Sequence, residues 1–185
     1  MTGERQIHNL ALIGFMGTGK SSVGRMAAMQ LHYDLIDTDE LIERRAGKTI
    51  SGIFSEDGEP AFREIERNLV AEMNGWRKKV ISTGGGLAAS DANLASLKQH
   101  ALIVCLWASP EAIYERVKTQ THRPLLQGPD PLGKIRELLE QRTRFYKQAD
   151  VLVHTGTRSV REVTQQVLHQ FHAARHPEPE REKSH

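Results

Sequence analysis

The sequence predicts an α/β fold: a five-stranded parallel sheet covered by helices on both faces. Three observations carry this reading. Five short apolar runs alternate with longer stretches of helical spacing, the pattern of strands buried on both sides. A glycine-rich turn stands between the first run and the first helical stretch. The length, 185 residues, suits one domain that buries its own core, with room for small inserted lobes.

In chain order, the predicted strands are Leu10 to Ile13, Tyr33 to Asp37, Val80 to Ser82, Leu102 to Leu106 and Val151 to His154, each too short and too apolar for a helix. After the glycine-rich turn, Val23, Met26, Ala27 and Leu31 share one helical face. Near the end, Val160, Val163, Val167, Leu168 and Phe171 share another, and both stripes read as core. Between Thr119 and Pro131 the text changes: Pro124, Gly128, Pro129 and Pro131 surround Arg123 in a stretch that cannot be regular, which makes it a candidate lid. Residues 1–173 are therefore read as a single domain, and the polar residues 174–185 as a disordered tail.

Hydrophobic residues are 38% and charged residues 26%, with a net charge of +2, a globular balance that gives no footing for nucleic-acid or membrane partners. The N-terminus lacks the apolar core of a signal peptide, and no run approaches the roughly eighteen apolar residues of a membrane span. The one cysteine, Cys105, sits within an apolar run and reads as a buried strand residue. A reducing cytoplasm is the default expectation, and monomer the default state.

Gly14-Phe-Met-Gly-Thr-Gly-Lys20-Ser21 matches the phosphate-loop pattern G-x-x-x-x-G-K-[ST] and lies between an apolar strand and an amphipathic helix, the context the motif requires. Its glycines, Gly14, Gly17 and Gly19, let backbone N–H groups close around phosphate oxygens, and the helix N-terminus adds partial positive charge. Lys20 is placed for the β and γ phosphates and Ser21 for Mg²⁺, with Thr18 and Ser22 beside them. Such a loop binds a nucleoside triphosphate without distinguishing kinases from other nucleotide-dependent proteins.

Beyond the second strand stand Asp37 and Asp39, two carboxylates in the crevice where open α/β sheets bind ligands. On an extended chain both point the same way, so one could hold Mg²⁺ through water while the other takes a hydrogen bond from a substrate hydroxyl. Asp39 alone reads equally as a cap for a helix starting near Glu40; the pair beside a phosphate loop favours function. Arg63 and Glu66 fall on one face if their segment is helical, so Glu66 can orient the guanidinium for a bidentate grip on a carboxylate. An isolated pair of this kind is usually a surface salt bridge. Gly84, Gly85 and Gly86 follow another strand and either admit a ligand closely or make a tight turn. Arg123 suits closure over a γ-phosphate, and Arg142 lies on a later helix ahead of Tyr146.

Taken together, Gly14 to Ser21, Asp37-Thr-Asp39, Ile53 to Glu66, Gly84 to Gly86, Arg123-Pro-Leu-Leu and Arg142 to Asp150 resemble the shikimate kinase family in order and spacing, over roughly residues 7–170. The resemblance implies a three-layer P-loop kinase core of the nucleoside-monophosphate-kinase type, with a substrate-binding lobe at about 38–68 and a lid at about 119–131. It implies ATP and shikimate as substrates, with Asp39, Arg63, Gly85, Gly86 and Arg142 at shikimate. It further implies Lys20, Ser21 and Asp37 at phosphate and Mg²⁺, Arg123 over the transferred group and Arg116 beside adenine. Where the family commonly has Arg-x-Pro-Leu-Tyr, this chain reads Arg142-Thr-Arg144-Phe145-Tyr146, which leaves two arginines as candidates for one carboxylate.

The expected chemistry is in-line phosphoryl transfer to the 3-hydroxyl, driven by positioning and charge neutralisation, with Asp39 orienting the hydroxyl and the lid excluding water. A kinase for another small hydroxy acid, such as gluconate, is the nearest alternative; Arg63 with the glycine triplet argues against it. A nucleotide-gated regulator without catalysis is the second, opposed by the joint presence of Lys20, Asp37, Asp39 and Arg123.

Overall fold

The computed structural model describes residues 5–119 and 128–176; Arg123, most of the 119–131 segment and the chain beyond 176 lie outside them. Strands β1 (Asn9–Ile13), β2 (Asp34–Asp37), β3 (Lys79–Ser82), β4 (Ala101–Trp107) and β5 (Val151–His154) form one parallel sheet in the order β2-β3-β1-β4-β5. Around it lie α1 (Lys20–Leu31), α2 (Thr38–Ala46), α3 (Ile50–Glu56), α4 (Gly58–Glu72), α5 (Asp91–Lys98), α6 (Pro110–Val117), α7 (Pro131–Tyr146) and α8 (Val160–Arg175).

The two-residue period of a strand divides the core. From β1, Leu10 and Leu12 join Val23 and Ala27 of α1 and Val163, Val167 and Phe171 of α8 on one face. Ala11 and Ile13 join Phe62 and Leu69 of α4, Leu94 of α5, Ile113 of α6 and Leu139 of α7 on the other. All five β1 residues are buried, as a central strand in an all-parallel sheet must be. Each fully buried Leu or Ile contributes about 1.5–3 kcal/mol, so these two faces carry most of the stability. Cys105 is wholly enclosed in β4, and burial pushes its thiol up to about 12.

Two details differ from the sequence reading. Val160, counted with the apolar stripe, opens α8 and is 40% exposed. Ala174 and Arg175, placed in the tail, belong to α8. Ala174 packs against the core, and Arg175 lies 5.5 Å from the Phe171 ring and donates to the Tyr33 hydroxyl at 2.9 Å. A helix already docked through Phe171 gains these contacts by running half a turn further, which composition alone does not disclose.

Candidate active site

Because the strands are parallel, their C-terminal ends share one edge, and there the loops after β1, β2 and β3 converge with α3, α4 and α7 on a cleft of about 1080 Å³. One wall is the phosphate loop. Gly14 has φ 139°, and a Cβ there would overlap the Leu106 carbonyl oxygen, so only glycine fits. The Thr18 hydroxyl donates to Phe15 O at 2.7 Å, and Lys20 Nζ donates to Gly14 O at 2.8 Å and Phe15 O at 3.0 Å. Gly17, Gly19, Lys20, Ser21 and Ser22 face the cleft. Gly14 and Thr18 are buried beneath the loop and shape it from below.

Arg116 does not line the cleft. It donates to Gly17 O and Thr155 Oγ1 at 3.1 Å each, to Gly156 O at 3.1 Å, and to Thr155 O. Its guanidinium thus ties the phosphate loop to the segment after β5, a brace that one arginine in an otherwise thin local motif does not announce.

The second wall begins at Asp37, the last residue of β2. Its Oδ1 accepts the backbone N–H groups of Asp39 at 3.0 Å and Glu40 at 3.3 Å, so Asp37, and not Asp39, caps α2. Asp39 stands in the first helical turn; the extended geometry expected of the pair ends at Asp37, yet both carboxylates face the cleft. Burial raises the Asp39 carboxyl from 3.8 to about 6, helped by the neighbouring Asp37 and Glu66 carboxylates and opposed by Lys20.

Arg63 extends from α4 into the cleft and is held by Glu66 Oε2 at 2.6 Å and Glu59 Oε1 at 2.9 Å. Glu66 is only 2% exposed; burial pushes its carboxyl up while the Arg63 guanidinium pulls it down. Arg142 extends from α7, its guanidinium 5.3 Å from the centre of the Phe15 ring. Arg144, two residues on, points away from the cleft and lies over Phe145 at 4.4 Å. Residues two apart on a helix do not share a face, so a single one of the two arginines lines the site.

The glycine triplet explains how these groups coexist. A Cβ on Gly84 would overlap the Asp39 carboxylate; on Gly86 it would stand 2.5 Å from Arg63 Nη1, and on Gly85 3.3 Å from Arg142 Nη1. Each glycine makes room for one charged side chain brought from a different segment. Gly84 N–H also donates to Thr38 Oγ1 at 2.7 Å, seating the triplet on α2. The sequence reading placed Gly85 and Gly86 at the substrate and gave Gly84 no role of its own, because the partner that crowds it is remote in sequence. Phe54 and Phe62 also line the cleft, their rings 4.8 Å apart, and no local pattern separates them from core aromatics.

Among the described residues no group of three or more His, Cys, Asp or Glu could hold a metal ion by itself. The Ser21 hydroxyl and the Asp37 carboxylate, both facing the cleft, form an all-oxygen donor pair of the kind Mg²⁺ takes when phosphates and water complete its shell.

The sequence model of the shikimate kinase family matches residues 16–172. The chain belongs to the shikimate kinase family. Among curated members, the shikimate kinase of Thermodesulfovibrio yellowstonii is 43% identical over 163 residues, 88% of this chain and 94% of the relative. Among solved members, the shikimate kinase of Acinetobacter baumannii in complex with shikimate superposes with a TM-score of 0.83 at 34% identity, covering 91% of this chain and 95% of that one. A gluconokinase from Sinorhizobium meliloti has a TM-score of 0.55 at 18% identity over 91% of this chain and 93% of its own, a likeness of fold alone.

Proposed function

We propose that this cleft transfers the γ-phosphoryl group of ATP to the 3-hydroxyl of shikimate, giving shikimate 3-phosphate and ADP on the route to chorismate and the aromatic amino acids. One observation carries the assignment: two guanidinium groups, Arg63 and Arg142, approach neighbouring glycines in the same cleft that the phosphate loop lines. A nucleotide-only enzyme has no use for that pair; a small hydroxylated carboxylate does.

In this reading Gly17, Gly19, Lys20, Ser21 and Ser22 hold the phosphates, with Gly14 and Thr18 supporting their loop. Ser21 and, through water, Asp37 would hold Mg²⁺, which neutralises phosphate charge when bound. Arg63, oriented by Glu66, and Arg142 fix the substrate carboxylate, with Gly85 and Gly86 providing the close approach. Asp39 accepts the 3-hydroxyl proton as the new O–P bond forms and the bond from Pγ to the leaving ADP oxygen breaks. Its raised carboxyl, near 6, makes it a better proton acceptor than an ordinary aspartate while leaving it mostly ionised at neutral pH. Lys20 stabilises charge on the transferred group. Arg123, in the 119–131 segment read as a lid, is assigned to the same group, and Arg116 serves the nucleotide end by holding the Gly17 carbonyl. The 38–68 lobe is the acid-binding side.

No described helix is long and apolar enough to cross a membrane. We place the enzyme in the cytoplasm as a monomer, consistent with its single, buried, unpaired cysteine. A coupled ADP-release assay with shikimate, quinate, gluconate or no acceptor tests the assignment: turnover should require shikimate. Strong turnover with gluconate and none with shikimate would overturn it. Arg63→Ala should raise the KM for shikimate at least about tenfold and leave the KM for ATP within about twofold.

A further inference from the structure

At the opposite edge of the sheet, away from the cleft, a cavity of about 590 Å³ opens between the segment entering β1, the turn before β3 and the end of α5. Arg5, His8, Arg77, Lys98 and His100 line it, and among the described residues no carboxylate does. The counter-charge recorded beside it is Asp150, engaged by Arg5 at 2.7 Å. Among the described residues, three cations against one carboxylate leave two positive charges around the space. At the end of α5, Ser96 O and Leu97 O accept backbone N–H groups, and His100 O beyond it accepts two.

His100 supplies the second, independent observation. It is 3% exposed, and its Nδ1 lies 2.9 Å from Asn9 Nδ2. The Lys79 N–H donates to Asn9 Oδ1 at 3.0 Å, which orients the amide, so Nδ2 is a donor; it also serves Trp76 O at 2.8 Å. His100 Nδ1 must then accept, and the neutral ring carries its proton on Nε2. Among the described residues, that buried Nε2–H has no hydrogen-bond partner. A buried donor left without an acceptor is costly, and the residue that carries it lines the cationic cavity. The charged and titratable groups acting on His100 are Arg77, His8 and Arg5; with burial as the larger cause, they hold it down to about 4, neutral at physiological pH.

We propose that this cavity binds a small oxyanion of the phosphate type, gripped by Arg77 and Lys98 and accepting the His100 Nε2–H. Two uncompensated cations match a dianion, and the neutral N–H donor suits a third oxygen. The site is independent of the shikimate assignment.

Nitrogen-15 NMR of the histidine rings in the full chain tests it, with titration by inorganic phosphate or glycerol 3-phosphate at constant ionic strength and chloride as control. The Gly14–Ser21 amides report phosphate in the catalytic cleft separately. The free protein should show a pyridine-type Nδ1 on His100, and its ring signals should shift saturably with added phosphate. A response to both ligands identifies a site for the phosphate group itself; a response to one assigns free phosphate or a monoester as occupant. Arg77→Gln/Lys98→Gln should weaken that response at least tenfold with the phosphate-loop response unchanged. A protonated Nδ1, a silent His100 while the phosphate loop responds, or an equal response in the double variant would overturn the proposal.

Discussion

Asp39→Asn should make the protein more stable and catalytically dead, and the gain should depend on pH in a defined way. Burial, Asp37 and Glu66 together raise the Asp39 carboxyl from 3.8 to about 6. The folded state therefore holds this proton more tightly than the unfolded state, and ionising it costs folding free energy. Below 3.8 the group is protonated in both states and the cost is absent; it grows as pH rises from 3.8 to about 6 and is constant above. A rise of that size corresponds to ~3 kcal/mol at ~1.4 kcal/mol per tenfold change in proton affinity. Asparagine removes the charge but not the polarity, so a net gain of about 1–3 kcal/mol is expected at pH 7.5, shrinking towards zero near pH 4. Urea unfolding of the ligand-free wild type and variant at both pH values reads it directly. A variant no more stable than wild type at pH 7.5, or a gain that persists undiminished at pH 4, would refute the reasoning.

Three further outcomes follow from the same geometry. Alanine substitutions in the glycine triplet should be graded by the space each lacks. Gly84→Ala should lower kcat about 100-fold by displacing Asp39, Gly86→Ala should raise the KM for shikimate about tenfold by displacing Arg63, and Gly85→Ala should change either by no more than about threefold; steady-state kinetics that rank them otherwise exclude this arrangement. The kcat/KM for shikimate should climb with pH through a limb near 6 as Asp39 ionises, and a limb at the ordinary aspartate position near 4 would show that burial does not govern it. Lys20→Ala should abolish turnover with a wild-type circular dichroism spectrum, because the hydrogen bonds it donates to Gly14 O and Phe15 O stay within the phosphate loop.

The parts of the molecule legible in the sequence are those that local chemistry dictates. Short apolar runs mark β1 to β5 to within a residue at each end; β1, β3 and β4 are central strands buried on both faces and need no alternation, while the edge strands β2 and β5 are partly exposed. The phosphate loop is equally plain, because backbone geometry around Gly14 to Ser21 demands its spacing. The rest depends on contacts between distant segments. Sequence weighs Asp39 as a helix cap, but Asp37 takes that role once β2 ends. Arg142 and Arg144 are chemically alike, and the phase of α7 decides which reaches the cleft. Arg116, set beside adenine by resemblance, shows its bracing contacts only once Gly17, Thr155 and Gly156 close around it. Gly84 looks like turn material until the Asp39 carboxylate occupies the place of its side chain.

The triplet also bears on how the protein matures. Asp39, Arg63 and Arg142 arrive from three helices; Glu59 and Glu66 hold Arg63 from its own helix, but it is the glycine triplet that Asp39, Arg63 and Arg142 all approach. They acquire a common frame only when the strand ahead of Gly84 has zipped between β2 and β1 and α7 has closed over it. Acid recognition therefore depends on β3 being paired with both its neighbours and on α7 being in place. A bound acid, by clasping all three arms at once, would act as a fastener for the whole C-terminal edge of the sheet, slowing hydrogen exchange well beyond the residues it touches.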